Sequence, residues 1–224
     1  LALLDRYINL LKDGEVVAFP TETVYGLGAD AWNPDAVQKV FTTKGRPADN
    51  PLIVHIAEPS QVHDFTADVS VDAQKLMETF WPGPLTLIFT KKPDVLDIIT
   101  AGLDTVALRW PKHPLAQDLI ARAGPLVAPS ANSSGKPSPT KASHVKEDFG
   151  DDFPVIEAGV TDIGLESTVL DITSKPYQIY RPGAISAQEI KKVTGIAVEH
   201  ATNASPKTAA KSPGTKYSHY TPHA

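Results

Sequence analysis

The stretch that most constrains the fold is residues 16–56, VVAFPTETVYGLGADAWNPDAVQKVFTTKGRPADNPLIVHI. Residues 16–19 are a short apolar run of the kind that forms a buried strand, and Pro20 ends it. Thr21 and Thr23 follow, and Tyr25, Gly26 and Gly28 predict a flexible turn. Asn33 is placed to cap a helix that begins at Pro34, where a missing N–H does least harm. Val37, Val40 and Phe41 give that helix one apolar face, and Gly45 is suited to close it in the left-handed conformation. A second strand is predicted over 52–56. A strand end, a turn and a post-helix loop thus carry polar groups near one another, as in the ligand sites of α/β proteins.

The remaining chain repeats this alternation. Amphipathic or capped helices are predicted over 1–13, from Ser70 to 80, from Pro114, over 141–149, and from the Ser186/Glu189 capping box to Gly195. Strands are predicted at 85–89, 106–110, 126–128, 155–157, 167–172, 177–180 and 196–199. Strands alternating with helices imply an α/β domain, and the hairpin-like pair near 167–181 implies a mixed sheet. Residues 201–215, rich in Ala, Ser, Lys and Pro, read as a linker.

Composition narrows the function. With 42% hydrophobic and 21% charged residues the chain is ordinary for a soluble globular protein. No apolar run is long enough to span a membrane. The absence of cysteine excludes disulfides and thiolate metal sites and fits a reducing, cytoplasmic setting. A net charge of −5 argues against non-specific nucleic-acid binding, although local clusters such as Lys44 and Arg46 could still form an anion pocket.

Several motifs fail on inspection. Gly26-Leu27-Gly28-Ala29-Asp30-Ala31 matches a loose dinucleotide fingerprint, but the preceding strand ends at Pro20, too early for it. No G-x-x-x-x-G-K-[ST] loop is present. His219 and His223 have helical metal spacing, yet Pro222 spoils the helix and no carboxylate is close. The polar clusters at strand ends are more informative: Lys44, Arg46, Asn50 and His55; Thr105 and Arg109; Ser130 and Asn132; Ser167 and Thr168; and Arg181. An arginine in or beside an apolar strand needs an anion. Arg46, Arg109 and Arg181 in such places suggest anionic ligand groups more than salt bridges.

FPTETVYGLG, KGRPADNPLIVHI, FWPGPLTLI, GLDTVALR, APSAN with SGKPSPT, ESTV and RPGAIS resemble, in order and spacing, the YrdC-like L-threonylcarbamoyladenylate synthases. The resemblance covers residues 1–199, the expected catalytic domain. SPGTKYSHYTP resembles the linker of the long form of that family, so residues 200–224 are expected to be a linker or lid. The smaller second domain that follows it there is expected to be absent from this chain. Thr215 stands where that linker usually has methionine.

The resemblance implies an open, twisted, mixed α/β sheet flanked by helices, with a concave ligand cavity. It also implies a reaction: L-threonine, bicarbonate and ATP give threonylcarbamoyl-adenylate and pyrophosphate, with Mg²⁺ carried in on ATP and no dedicated metal cage. Thr23, His55, Arg109, the backbone of Ala128, and Ser167 would hold threonine. Arg46, Asn50, Thr105, Ser130, Ser138, Arg181 and Tyr217 would hold ATP, while Lys44 and Asn132 complete a K-x-R and S-x-N tetrad with Arg46 and Ser130. The product would pass to tRNA-modifying proteins, with direct tRNA contact left open. The alternatives are a carbamoyl-adenylate-forming transferase, whose usual zinc-binding cysteines this chain lacks, and a non-catalytic binder of double-stranded RNA or tRNA.

Overall fold

The computed structural model describes residues 2–201. In chain order the elements are α1 (Ala2–Lys12), β1 (Val17–Pro20), β2 (Tyr25–Asp30), α2 (Pro34–Lys44), β3 (Ile53–His55), α3 (Val62–Phe65), α4 (Val71–Phe80) and β4 (Leu85–Thr90). Then come α5 (Asp97–Thr100), β5 (Thr105–Arg109), α6 (Pro114–Ala123), β6 (Leu126–Val127), α7 (Ala142–Phe149), β7 (Thr168–Asp171), β8 (Tyr177–Arg181), α8 (Ala187–Thr194) and β9 (Val198–His200). The strands form one nine-stranded mixed sheet in the order β1-β2-β6-β3-β5-β4-β7-β8-β9.

Local chemistry explains the helix ends. Asn33 Oδ1 accepts from the N–H groups of Asp35 and Ala36, Pro34 opens α2, and Gly45 closes it at φ 60°. Ser70 caps α4 through the Ala73 N–H. Ser186 and Glu189 make both bonds of the capping box on α8.

Side-chain alternation divides the sheet into two unlike faces. Val54, Leu87, Leu108 and Leu170 point into the larger core, where α2, α4, α7 and α8 bring Val40, Leu76, Val145 and Ile190. On the other face α1 and α6 pack Ile8 and Leu119 onto Val17, Phe19 and Leu126, covering only one end of the sheet. Further along that face, Ile53, Ile88, Ala107 and Val169 form a separate small cluster to which no helix contributes a buried residue. The functional cavity opens beside this thinly covered floor.

Three sequence expectations need correction. The turn expected at Tyr25, Gly26 and Gly28 is a strand, paired antiparallel with β1 from Val17↔Gly28 to Pro20↔Tyr25. Its glycines serve close packing: a Cβ on Gly28 would lie 2.7 Å from Phe19 Cε1, and one on Gly26 would lie 3.2 Å from Ala128 Cβ. The strand expected at 155–157 shrinks to a single parallel bridge, Ala18↔Val155. There the chain turns away, because Tyr25 Oη takes the Ala158 N–H at 3.2 Å and donates to Gly159 O at 3.0 Å. The short helices α3 and α5 were not expected at all.

No helix among the described residues is long and apolar enough to cross a membrane. Tyr217, His219, His223 and residues 202–224 of the expected linker or lid lie outside the described residues.

Candidate active site

The β1–β2 turn builds one side of the site. Thr21 Oγ1 donates to Val24 O at 2.7 Å and accepts from the N–H groups of Thr23 and Val24, so the hydroxyl closes the turn on itself. Its only proton is therefore committed, and in the 2.9 Å contact between the hydroxyls of Thr21 and Thr23 it is Thr23 that donates. Thr23 Oγ1 in turn accepts from Arg109 Nη1 at 3.0 Å.

Arg109 ends β5, is only 4% exposed and is held at three points. Besides Thr23, its Nε donates to Gly83 O at 3.2 Å and its Nη2 to Glu22 Oε1 at 2.5 Å. Burial by itself would raise the Glu22 pKa. The charge of Arg109 and hydrogen bonds from Arg109 and the Lys112 N–H outweigh it, and the carboxyl titrates below its usual range.

His55 is the register partner of Arg109 on the neighbouring parallel strand. Its Nδ1 lies 3.3 Å from Ile53 O, a carbonyl that can only accept, which assigns the proton to Nδ1 and the lone pair to Nε2. Burial, then the charges of Arg109 and Arg181, lower its pKa to about 3, so the ring is neutral at physiological pH.

A second arginine is clamped in the same way. Arg181 Nε donates to Ser167 O at 3.0 Å, Nη2 to Ser167 Oγ at 3.1 Å, and Nη1 to Glu166. Ser167 Oγ also shares a 2.8 Å bond with Thr86 Oγ1, while Ser138 Oγ donates to Glu166 Oε1 at 2.7 Å. Arg109 and Arg181 thus each carry a carboxylate salt bridge, which the sequence reading ranked below anionic ligands, and both also line the cavity. Each already holds a buried carboxylate. Arg46 Nη2 donates to the carbonyls of Asn50 and Pro51 at 3.2 and 2.9 Å.

These groups surround a cavity that opens to solvent. It is lined by all of Thr23, His55, Arg109, Ala128 and Ser167, and also by Arg46, Ser130 and Arg181. The Ala128 N–H is committed to Ile53 O at 3.1 Å, so the amide proton of that backbone is not the group offered to a ligand. Val24, Leu52, Ile53 and Pro129 supply apolar wall, and Glu166 is the carboxylate among the described lining residues.

The other sequence-predicted residues stand behind this surface. Lys44 is 4% exposed, and its Nζ donates to Ser130 O and, at 2.5 Å, to Asn132 O. Burial, then repulsion from Arg46, lowers its pKa to about 7. Lys44 therefore fastens the serine-rich loop and does not project into the cavity as a free charge. Asn132 Nδ2 donates to the carbonyls of Ser133 and Lys136, which tightens the same loop. Asn50 is buried beside Arg46, and Ser138 reaches the cavity only through Glu166. Thr105 is not brought in: it pairs with Thr90 at the far end of β5, roughly 13 Å along the strand from Arg109. Glu22 and Glu166 were missed by sequence reasoning. The available signal was a lone carboxylate in each of the motifs FPTETVYGLG and ESTV, next to residues already chosen.

The fold and site define an α/β protein with an arginine-rich small-molecule cavity, and the comparisons say which. The Sua5/YciO/YrdC family, described as telomere recombination, matches residues 9–183, and the chain belongs to it. It is 51% identical over 219 residues to a threonylcarbamoyl-AMP synthase of Pyrococcus abyssi and 53% over 216 residues to one of Bacillus subtilis. These matches cover 96% and 95% of this chain but 64% and 62% of the relatives, so the chain spans somewhat under two thirds of their length. The crystal structure of P. abyssi Sua5 complexed with L-threonine superposes with a TM-score of 0.92 at 49% identity, covering 98% of this chain and 65% of that one. Escherichia coli YciO, at 21% identity and a TM-score of 0.75 over 84% of this chain and 93% of its own, shares the fold.

Proposed function

We propose that this chain carries the centre of an L-threonylcarbamoyladenylate synthase. Threonine's amine combines with bicarbonate to give a carbamate and water. A carbamate oxygen then attacks the α-phosphorus of ATP, the bond to the bridging oxygen breaks, and pyrophosphate leaves. The observation that carries the reading is the convergence of Thr23, His55, Arg109, Ala128 and Ser167 on one cavity with Arg46 and Ser130. The names of the relatives, and the relative solved with L-threonine, support it.

Arg109, with two edges anchored, offers its remaining N–H groups to the threonine carboxylate. Neutral His55, with its lone pair on Nε2, accepts a hydrogen bond from the threonine hydroxyl. Arg46 stands beside Ser130 where the phosphates of ATP would lie, and Lys44 keeps that loop in place. Such a transfer depends on alignment and charge neutralisation more than on a strong acid or base. Among the described residues no three or more His, Asp or Glu side chains gather as a metal site, and Glu166 is already engaged by Arg181 and Ser138. This donor set suits Mg²⁺ that arrives on the phosphates of ATP and offsets their charge there. The product would pass, in the cytoplasm, to proteins that place the threonylcarbamoyl group on tRNA.

The test is pyrophosphate release from ATP. It is expected to require both threonine and bicarbonate. Release that ignores threonine, or that responds to carbamoyl phosphate instead, overturns the reading.

A further inference from the structure

Glu22 has no place in the reaction as outlined, yet both oxygens of its carboxylate are held beside the site. It is 5% exposed and stands behind the residues that line the cavity. One carboxylate oxygen takes Arg109 Nη2 at 2.5 Å and the other takes the Lys112 N–H at 2.9 Å. The backbone is equally fixed: Glu22 O accepts from the Ile163 N–H and Thr23 O from the Gly164 N–H, both at 2.9 Å. The segment carrying Glu22 is thus pinned from β5 on one side and from the loop 159–165 on the other.

The consequence falls on Arg109. A guanidinium has five N–H donors in one plane. Gly83 O, Thr23 Oγ1 and Glu22 Oε1 take one each and between them fix that plane. An arginine with only Gly83 and Thr23 as partners could still rotate about its last bonds and would carry an uncompensated buried charge.

We infer that Glu22 is a positioning residue: acting through Arg109, it sets the orientation in which the cavity receives the carboxylate of an α-amino acid substrate. The effect is specific to that carboxylate, because the bond from the Glu22 side chain to the cavity lining runs through Arg109. This inference rests on the amino-acid reading of the site, and it separates into two measurable parts.

The first part needs no substrate. In nitrogen-15 spectra of the full chain, the Nη groups of Arg109, assigned with Arg109→Lys, are expected to give separate, slowly exchanging signals. In Glu22→Gln they are expected to average. Signals already averaged in the parent chain, or unchanged in Glu22→Gln, overturn the inference even if threonine is not the ligand.

The second part compares L-threonine with L-threoninamide, which lacks the carboxylate, by calorimetry. Glu22→Gln is expected to weaken threonine about tenfold and threoninamide less than about twofold. Equal losses for the two ligands would mean a merely structural role and would overturn the inference. If Glu22→Gln melts well below the parent chain, Glu22→Asp serves in its place: it keeps the charge but not the reach, and the same selective loss is expected. A parent chain that binds neither ligand defeats the amino-acid reading instead, and the spectra still decide the role of Glu22.

Discussion

His55 and Arg109 face each other in register across two parallel strands, one neutral and one cationic, with burial and the neighbouring charge both opposing a proton on the imidazole. The folded-state pKa of about 3 lies below the ordinary 6.5, so between those values the unfolded chain binds the extra proton. The contribution of His55 to stability is expected to be complete above about pH 6.5 and to fall as the pH drops towards 3, by on the order of a few kcal/mol. Denaturant melts across that window, compared with His55→Gln, check it: the mutant should show a shallower loss. Arg109→Gln should raise the His55 pKa only in part, since burial is the larger cause.

Lys44 gives the opposite end of the pH scale. Its folded pKa of about 7 lies below its ordinary 10.5, so the folded protein holds fewer protons than the unfolded chain between those values. Stability from this group is therefore expected to rise with pH from about 7 to 10. Lys44→Met should remove that rise. It should also cost about 1 to 3 kcal/mol near pH 7 by leaving the carbonyls of Ser130 and Asn132 without their donor. A Lys44→Met protein with parent stability and an unchanged pH slope would show that the lysine fastens nothing.

Arg46 follows the C-terminus of α2, which offers no favourable field for an anion, so a phosphate there must rely on the side chain. Bonds to the carbonyls of Asn50 and Pro51 help to hold the guanidinium at the cavity. Arg46→Ala is expected to lower the specificity constant for pyrophosphate release by about 10²- to 10³-fold. Turnover at the parent rate would remove Arg46 from the site.

Where sequence reasoning succeeded, the cause was local. Asn33, Ser70, Ser186 and Gly45 act on backbone groups within a few residues, and their signatures can be read directly. The same holds for the strand-end polar clusters, because a strand that ends at a cavity delivers its last side chains there. Where it failed, the cause was distant. Gly26 and Gly28 looked like a turn because the ring that needs their missing side chains, Phe19, is reached only across the hairpin. The salt bridge of Arg109 went unseen because its partner Glu22 lies 87 residues earlier in the chain. Thr105, an ATP contact implied by the resemblance, stands at the opposite end of β5 from Arg109, beside Thr90.

Gly183 tests how tightly the second arginine clamp is built. The backbone after β8 passes so close to the start of β7 that a Cβ on Gly183 would lie 2.4 Å from Thr168 N, 2.6 Å from Glu166 O and 2.8 Å from Ser167 C. All three contacts are backbone, so no side chain can swing aside to relieve them. Gly183→Ala must instead push apart the segments that carry Arg181 on one side and Glu166 and Ser167 on the other. Overpacking of this kind costs about 1 to 3 kcal/mol. Because the displaced atoms include Ser167, the change should also raise KM for threonine, although Gly183 does not line the cavity. Thermal melts and initial rates read the two effects separately. A Gly183→Ala protein that melts and binds threonine like the parent would show that the close approach of these strands is not what positions Ser167.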